Sequence, residues 1–111
     1  MFTEVKNMLQ NRISGTSYDR QIALWIRAAV LDLTNEQIVL KGECDIQITE
    51  NNGQIVITDN STITDERVFA ACAAYVSMNI GNPPNYDNLL KAYESIKGSM
   101  RMSRKYKGAE G

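Results

Sequence analysis

The chain has 111 residues, of which 43% are apolar and 23% are charged, and its formal net charge is −1. This length and composition predict one soluble globular domain spanning residues 1–111 and exclude a chain that is disordered throughout. No apolar run approaches the roughly 20 residues of a membrane-spanning helix, and the first residues lack the features of a signal peptide, so we expect no membrane partner and a product made in the cytoplasm.

The net charge hides an uneven distribution along the chain. Residues 1–90 contain six Lys and Arg against eleven Asp and Glu, a balance of −5, whereas residues 91–111 contain six against two, a balance of +4. The basic C-terminal tail, residues 101–111, indicates a local contact with an acidic partner rather than duplex DNA binding by the whole surface. Basic residues are also favoured at a helix C-terminus by the helix dipole alone, so a solvated, frayed helix end is the simpler interpretation of the same residues.

Two neighbouring helices are predicted at the start of the chain. The first covers about residues 3–13, with Thr3 as its N-terminal cap, and the second covers about residues 18–35, capped by Ser17. The connection between them is short, so we expect the two helices to pack side by side. Their predicted apolar faces comprise Val5, Met8, Leu9 and Ile13 in the first helix, and Ile22, Trp25, Ile26, Ala29, Val30 and Leu33 in the second.

A β-hairpin is predicted over about residues 44–59. Isoleucines alternate with other residues over 44–49 and again over 54–59. Between these runs lies Asn52-Gly53, a dipeptide that readily adopts the positive φ angles of a tight reversal. A two-stranded hairpin is only marginally stable alone, so we expect this one to lie on the helices or to pair with another subunit.

The central element of the predicted fold is a helix over about residues 65–80, with Thr64 and Asp65 at its N-terminus. It is apolar around most of its circumference and must therefore be covered on several sides. A last helix is predicted over about residues 86–104, after two prolines that prevent the central helix from continuing. The sequence thus predicts a mainly α fold, a four-helix bundle-like domain with a β-hairpin inserted between the second and third helices.

Catalytic and metal-binding chemistry is hard to place on this sequence. The chain has no histidine, so the commonest general base and a frequent zinc ligand are missing. Its two cysteines, Cys44 and Cys72, are predicted to be buried free thiols. Capping or solvation explains acidic residues such as Asp32, which lie near helix ends or on solvent faces. We therefore predict no enzyme, no cofactor, and no catalytic, cofactor-binding or metal-binding residues.

The second half of the chain resembles a known protein family. Two segments carry the resemblance: Thr-Asp-Glu-Arg-Val-Phe-Ala-Ala-Cys-Ala-Ala-Tyr-Val-Ser-Met-Asn-Ile-Gly-Asn-Pro from Thr64, and Tyr-Asp-Asn-Leu-Leu-Lys-Ala-Tyr-Glu-Ser-Ile-Lys from Tyr86. In the small head–tail connector (head-completion or adaptor) proteins of long-tailed phages and prophages, a helix ending in Tyr-Val-x-x-x-x-Gly-Asn-Pro is followed by Tyr-Asp-x-Leu and a last helix. The resemblance is best over residues 64–107. The regular hairpin at 44–59 departs from the shorter link expected in that family.

This resemblance implies structural work in virion assembly. Such proteins form a homo-oligomeric ring under the portal protein after DNA packaging, extend the channel through which DNA passes, and dock the neighbouring head-completion or tail protein. The resemblance also implies a location at the head–tail junction of the virion. The basic end would contact the portal or a neighbouring subunit, and the hairpin tip would face the lumen or the next ring. The residues so implied are Arg101, Arg104, Lys105, Tyr106 and Lys107 at the basic end, and Glu50, Asn51, Asn52 and Gly53 at the tip.

Two other functions are compatible with the same residues. A small nucleic-acid-binding protein could use the basic tail and stack Tyr106 on a base, and its affinity for DNA would then fall steeply with salt. A helical regulatory or toxin-neutralising module would instead bind a protein partner and form a small closed oligomer. The resemblance favours the connector, and the other two stay as alternatives.

Overall fold

The computed structural model describes residues 1–9, 16–80 and 83–110, except the side chains of residues 103–110. Within these ranges the chain forms four helices and one two-stranded antiparallel hairpin, which lies between the second and third helices, so the predicted mainly α class is confirmed. The elements in chain order are α1 (Phe2–Met8), α2 (Asp19–Asn35), β1 (Ile46–Asn51), β2 (Gln54–Asp59), α3 (Glu66–Asn79) and α4 (Tyr86–Glu110).

Helix α3 is the centre of the fold and packs against the other three helices. Its alanines permit close approach, and residues all around its circumference are buried, which matches the prediction that it needs cover on several sides. The predicted cap is also confirmed, because the Asp65 carboxylate accepts a hydrogen bond of 2.9 Å from the backbone N–H of Arg67. The buried residues of α3 are Val68, Phe69, Ala71, Cys72, Ala73, Ala74, Val76 and Met78.

Helix α2 lies along α3 with the apolar face that its sequence predicts. Ile22, Ile26, Ala29, Val30 and Leu33 are buried, whereas Trp25 packs at the edge of the core. These positions recur every three or four residues, so they form one stripe on the helix surface. The opposite side of α2 carries polar residues and two exposed leucines, Leu24 and Leu31.

The hairpin forms as predicted, with shifted strand bounds. Asn52 and Gly53 have φ angles of +54° and +79° and form the reversal, which pairs Asn51 with Gln54 and Ile48 with Ile57. Strand β1 begins at Ile46 rather than at residue 44. Before Ile46 the two segments stay joined by backbone hydrogen bonds of 2.8 Å from Asn60 to Asp45 and from Thr62 to Glu43, but the Asp45 N–H donates to the Ser61 hydroxyl, so the regular ladder begins only at Ile46.

Only the base of the hairpin is covered by the helices. Ile46 is buried and Ile48 and Ile57 pack against the core, with α2 as the helix in contact with both strands. Ile55 and Val56, nearer the tip, remain 43% and 45% exposed. The hairpin therefore lies on the helices at one end and extends into solvent at the other.

Two predicted helix caps are wrong, although both helices begin within one residue of their predicted starts. Helix α1 begins at Phe2 and α2 at Asp19, and neither has a side-chain cap, so Thr3 and Ser17 do not cap them. Met8, predicted to be buried, is 49% exposed because α1 turns its Val5 and Leu9 side to the core. Helix α1 ends at Met8, and predicted residues 10–13 lie outside the described ranges.

Helix α4 runs to Glu110, six residues beyond its predicted end. The last residues lack an apolar stripe, which is why a stop near residue 104 is expected from periodicity. They nevertheless contain no proline and consist largely of residues with good helix propensity, so the backbone hydrogen bonding continues. The basic tail is therefore part of a 25-residue helix.

A long-range ionic contact holds the N-terminus on the hairpin. One Asp59 carboxylate oxygen lies 2.7 Å from the Met1 ammonium and accepts the Phe2 backbone N–H at 2.7 Å, while the other accepts the Ser61 N–H at 3.0 Å. Partial burial raises the pKa of the Asp59 carboxyl, but these hydrogen bonds outweigh it and lower the pKa to about 2.

Replacing Asp59 with asparagine is expected to lower the free energy of unfolding by about 2 kcal/mol at pH 7. Because the folded-state pKa is lowered, the carboxylate stabilises the fold above its ordinary pKa of 3.8, and this stabilisation is lost as the pH falls towards about 2. Urea unfolding titrations at pH 7 and pH 2 measure the loss of stability and its dependence on pH. Asp87→Asn, which changes an exposed carboxylate, is the control. A difference between wild type and Asp59→Asn that is the same at both pH values would contradict the assignment.

Candidate interaction surfaces

An almost fully buried lysine joins α4 to α2. Lys97 is 5% exposed, and its Nζ lies 2.9 Å from Asp32 Oδ2, forms an ion pair with Glu36, and approaches Glu94 Oε1 at 3.7 Å. Both α2 carboxylates reach solvent, since the side chains of Asp32 and Glu36 are 40% and 29% exposed. The lysine is thus buried while its counter-charges stay hydrated, which lowers the cost of holding a cation there.

Two further α4 residues complete this charge cluster. Tyr93 Oη donates a hydrogen bond of 2.6 Å to Asp32 Oδ2, and the Arg101 guanidinium pairs with Glu36. Lys97 Nζ also lies 5.0 Å from the centroid of the Tyr93 ring, a cation–π distance. We call Asp32, Glu36, Tyr93, Lys97 and Arg101 the α2–α4 charge cluster.

The pKa shifts in the cluster follow from these contacts. Burial raises the pKa of Asp32, but the hydrogen bonds from Tyr93 and Lys97 outweigh it and leave the pKa lowered. Lys97 lowers the pKa of Glu36 directly. Burial lowers the pKa of Lys97, yet its hydrogen bonds to Glu36 and Asp32 reverse the effect and raise it.

The cluster is built to hold helices together rather than to react. A lysine with a raised pKa stays protonated near neutral pH and is no nucleophile. Burial and the hydrogen bond to Asp32 raise the pKa of Tyr93 as well, so its hydroxyl stays protonated. The polar atoms of Lys97 and Tyr93 are already occupied by partners within the chain, which favours a structural role.

A row of aromatic rings links the same cluster to α3. Tyr75 of α3 lies between Trp25 of α2, at a centroid distance of 6.0 Å, and Tyr93 of α4, at 5.3 Å, and both pairs are tilted. Trp25 therefore packs at the edge of the core and against another ring, as its position on the apolar stripe predicts. The rings and the charge cluster together fix α2, α3 and α4 relative to one another.

The predicted basic contact surface is smaller than the sequence count indicates. Among the six basic residues in 91–111, Lys97 and Arg101 have their charges paired with Asp32 and Glu36. Arg101 keeps a 47% exposed side chain, so a contact with a partner remains a prediction. The helical backbone of α4 places positions 101, 104 and 105 on one face, and the side chains of Arg104, Lys105, Tyr106 and Lys107 lie outside the described part.

The predicted hairpin-tip residues are all exposed. Glu50, Asn51, Asn52 and Gly53 lie at the turn, and Glu50 Oε1 is 3.6 Å from the Arg20 guanidinium at the start of α2. Both side chains of this pair are more than half exposed, so it contributes little to stability. The hairpin tip is exposed to solvent and lies beside Arg20, at the start of α2.

The hairpin tip and the basic end lie at opposite ends of α2. Arg20, next to the tip, and Glu36, next to Arg101, are sixteen residues apart, and a helix rises 1.5 Å per residue, so the two points are separated by about 24 Å. Helix α4 packs antiparallel to the shorter α3 and therefore extends beyond its start. The structure thus has two predicted contact regions at its two ends.

A shallow groove opens between α2 and the segment that enters β1. Its volume is about 240 Å³, and its walls include Arg27, Leu31, Leu40, Lys41 and Cys44. Leu31 and Leu40 are 62% and 60% exposed. Nothing in the sequence pattern singles out this groove, because Leu31 falls outside the apolar stripe of α2 and Leu40 lies in a loop.

The two cysteines are free thiols in different environments. Cys72 is buried in the core, whereas Cys44 is half-buried and accepts a weak hydrogen bond from the Ser61 hydroxyl, with Oγ to Sγ at 3.7 Å, so the prediction of full burial is wrong for Cys44. Burial raises the pKa of both thiols, which disfavours the reactive thiolate.

Within residues 1–9, 16–80 and 83–102, whose side chains the structure describes, no three Cys, Asp or Glu side chains come close enough together to hold a metal ion. In the same ranges, none of the helices combines the length and apolar character needed to cross a bilayer.

The cluster of Lys97, Tyr93 and Asp32 was not predicted, although the sequence carries a signal for it. Lys97 falls four residues after Tyr93 and three before Met100, so helical spacing puts it on the same face of α4 as these two apolar residues. A lysine at such a position requires an acidic partner, and Asp32 and Glu36 are spaced by one helical turn on α2. Pairing these two patterns could have predicted the contact.

Comparisons with known proteins give no further guide, since no family model, no curated protein and no solved structure matches this chain. Functional conclusions therefore depend on the sequence resemblance over residues 64–107 and on the geometry described above.

Proposed function

We propose that this chain is a structural subunit of the head–tail connector of a long-tailed phage or prophage. In this role it forms a homo-oligomeric ring under the portal protein, extends the DNA channel, and docks the next head-completion or tail protein. The virion head–tail junction is then its site of action, and no reaction is assigned to it.

The observation that carries the proposal is the separation of the two contact regions along α2. A connector ring must bind the portal on one axial face and the next protein on the other, so its subunit needs two independent surfaces about a helix length apart. The hairpin tip near Arg20 and the basic end near Glu36, about 24 Å apart, supply such a pair.

Charge distribution supports the same assignment. In the sequence, the basic residues of the C-terminal helix follow a segment, residues 1–90, whose net charge is negative. This separation of charge suits a contact at one end only. An acidic body also suits a channel wall, because a strongly basic wall would retain DNA through its phosphates rather than let it pass.

Co-elution with the portal ring encoded in the same genome tests the proposal. The purified chain and portal are combined and analysed by size exclusion with light scattering, and we expect a complex of about one copy per portal subunit. The same experiment with duplex DNA at about 50 and 200 mM salt separates the nucleic-acid alternative, for which several phosphate contacts predict a steep loss of affinity. A lack of portal complex together with salt-steep DNA binding would transfer the assignment to that alternative.

A further inference from the structure

Strand β2 has an edge that no other strand of the described chain covers. Within residues 1–9, 16–80 and 83–110 the sheet has two strands, so only one edge of β2 is paired, with β1. The unpaired N–H and C=O groups along a free edge are a template for a further strand, and proteins usually guard such an edge with charges, prolines or bulges. Residues 54–58 contain no charge and no proline, and their register with β1 is continuous. We call this unguarded edge the β2 edge.

The hydrogen-bond pattern of the hairpin identifies the backbone groups that point out of the β2 edge. The N–H of Asn60 donates to the carbonyl of Asp45 at 2.8 Å, so these two residues form a hydrogen-bonded pair. Such pairs alternate along an antiparallel ladder, so every second residue of β2, counted back from Asn60, is bonded to β1. Ile55 and Ile57 lie between these residues, and their N–H and C=O groups therefore point towards the free edge.

The exposed apolar side chains of the hairpin also lie on β2. Ile55 and Val56 are 43% and 45% exposed. Successive side chains of a strand point to opposite faces, so Ile55 shares a face with Ile57, which packs against the core, and Val56 lies on the other face. A strand that covers the β2 edge must therefore offer apolar side chains on both of its faces.

A second copy of β2 meets these requirements. In an antiparallel pair with its twofold axis at Val56, the two Val56 side chains lie opposite each other, and Ile55 of each copy lies opposite Ile57 of the other. The outward backbone groups then face one another, and each Ile55–Ile57 pair can exchange two hydrogen bonds. The only charge of the strand, Asp59, lies three residues from the axis, which separates its two copies by about 20 Å along the strands. Each Asp59 is also paired with Met1 of its own chain.

The β1 edge is less suited to cover β2 of another copy. The ladder directs the outward backbone groups of Ile46, Ile48 and Glu50 to that edge. Ile46 is buried, and Glu50 is more than half exposed despite its contact with Arg20, so a carboxylate guards the projecting part of β1. At the register of the hairpin itself, Glu50 would lie opposite Ile55 of the other copy. The distribution of charge thus favours β2 over β1 as the covering strand.

We propose that the β2 edges of two copies pair antiparallel about Val56 and join two hairpins into one four-stranded sheet. A two-stranded hairpin is only marginally stable alone, and a third and fourth strand stabilise it. The contact uses the same surface on both copies and therefore closes as a dimer. The inference goes beyond the proposed function, because a twofold contact cannot build a ring, and it concerns the free subunit before ring assembly.

Opposite charges at Val56 test the position of the axis. Val56→Lys sets two ammonium groups directly opposite each other, and Val56→Glu does the same with two carboxylates. In light scattering over a concentration series, each variant is expected to dimerise at least about tenfold more weakly than wild type. An equimolar mixture sets an ammonium group opposite a carboxylate and should form a heterodimer with an affinity within about threefold of wild type.

Thr49→Lys is the matched control. Thr49 is the cross-strand partner of Val56 and lies on the same face of the hairpin, but it belongs to β1 and is one strand farther from the axis. We expect its dimer affinity to stay within about threefold of wild type. The proposal is overturned if wild type stays monomeric up to about 1 mM, if the mixture yields no heterodimer, or if Thr49→Lys weakens association as much as Val56→Lys.

Hydrogen exchange of the wild-type protein gives an independent check of the strand pairing. The N–H groups of Ile55 and Ile57 become hydrogen-bonded in the dimer, so their exchange should slow at least about tenfold between a dilute and a concentrated sample. The N–H of Glu50 points out of the β1 edge, and its exchange should not change. Slower exchange at Glu50 together with growth beyond a dimer would show that β1 of one copy pairs with β2 of the next, which would overturn the proposal.

Portal co-elution keeps this inference distinct from the proposed function. Portal binding by a wild-type chain that forms no dimer in solution would overturn the β2 contact and leave the connector assignment standing. A dimer with the expected response to charge at Val56, but without portal binding, would do the opposite.

Discussion

Replacing Lys97 with methionine is expected to lower the free energy of unfolding by about 2 kcal/mol. Removing one partner of a buried ion pair costs roughly 3–5 kcal/mol when the remaining charge is enclosed. Here the remaining carboxylates of Asp32 and Glu36 are 40% and 29% exposed, and each retains another donor, Tyr93 or Arg101. Their hydration reduces the expected cost, which urea unfolding followed by circular dichroism measures.

The pH dependence of this difference identifies its origin. Folded-state pKa values of Asp32 and Glu36 are lowered from 3.8 and 4.5, so the stabilisation by Lys97 is complete above those values and is lost as the pH falls below them. The gap between wild type and Lys97→Met should therefore narrow on acidification below about pH 4. A gap that is constant down to pH 2 would indicate lost packing rather than a lost ion pair.

Two control variants test whether the loss of stability in Lys97→Met comes from the missing charge. Lys91→Met changes an exposed lysine of the same helix, and we expect an effect within about 0.5 kcal/mol. Adding Asp32→Asn to Lys97→Met removes the carboxylate that Lys97 paired with, keeps an oxygen that can accept the Tyr93 hydroxyl, and leaves Glu36 on Arg101, so this double variant should recover about 1 kcal/mol relative to Lys97→Met. A Lys97→Met variant as stable as the Lys91→Met control would refute the structural role of the cluster.

The parts of this fold that local chemistry decides could be predicted from sequence. The stripe of α2 follows from apolar residues at helical spacing, and the hairpin turn from the tolerance of Asn52 and Gly53 for positive φ. The cap at Asp65 follows from a short carboxylate just before an apolar helix. In each case the determining residues are neighbours in the chain.

Contacts between residues that are far apart in the chain explain the features that local sequence patterns did not predict. The N-terminus is held by Asp59 at the end of β2, so no residue near Thr3 could indicate where α1 begins. Lys97 can be buried because its ammonium group donates a hydrogen bond to the carboxylate of Asp32, which lies sixty-five residues earlier in the chain. Counting charges along the sequence treats every lysine as solvated and so overstates the basic surface of α4. The groove lined by Leu31 and Leu40 has the same origin, because these two leucines come together only after α2 ends and the chain turns back.

The proposed function predicts that the two ends of the molecule can be inactivated separately. Replacing Arg104, Lys105 and Lys107 with serine removes three cationic positions from the end of α4 and leaves Arg101 on Glu36. If each makes a contact worth about 1 kcal/mol with an acidic portal surface, portal affinity should fall about 100-fold. Titration of labelled variant into portal rings measures this loss, with Lys91→Ser as the matched control on the same helix.

At the other end, Glu50→Ser with Asn51→Ser alters the hairpin tip and retains the Asn52-Gly53 turn, so the hairpin should still form. We expect its portal affinity to stay within about threefold of wild type, since the tip lies about 24 Å from the basic end, and its affinity for the next ring protein to fall about tenfold. Loss of portal affinity in the first variant and of affinity for the next ring protein in the second would distinguish two axial faces from one extended surface. Loss of portal binding in both variants would place the portal contact across the whole length of α2, which a subunit with separate axial faces does not allow.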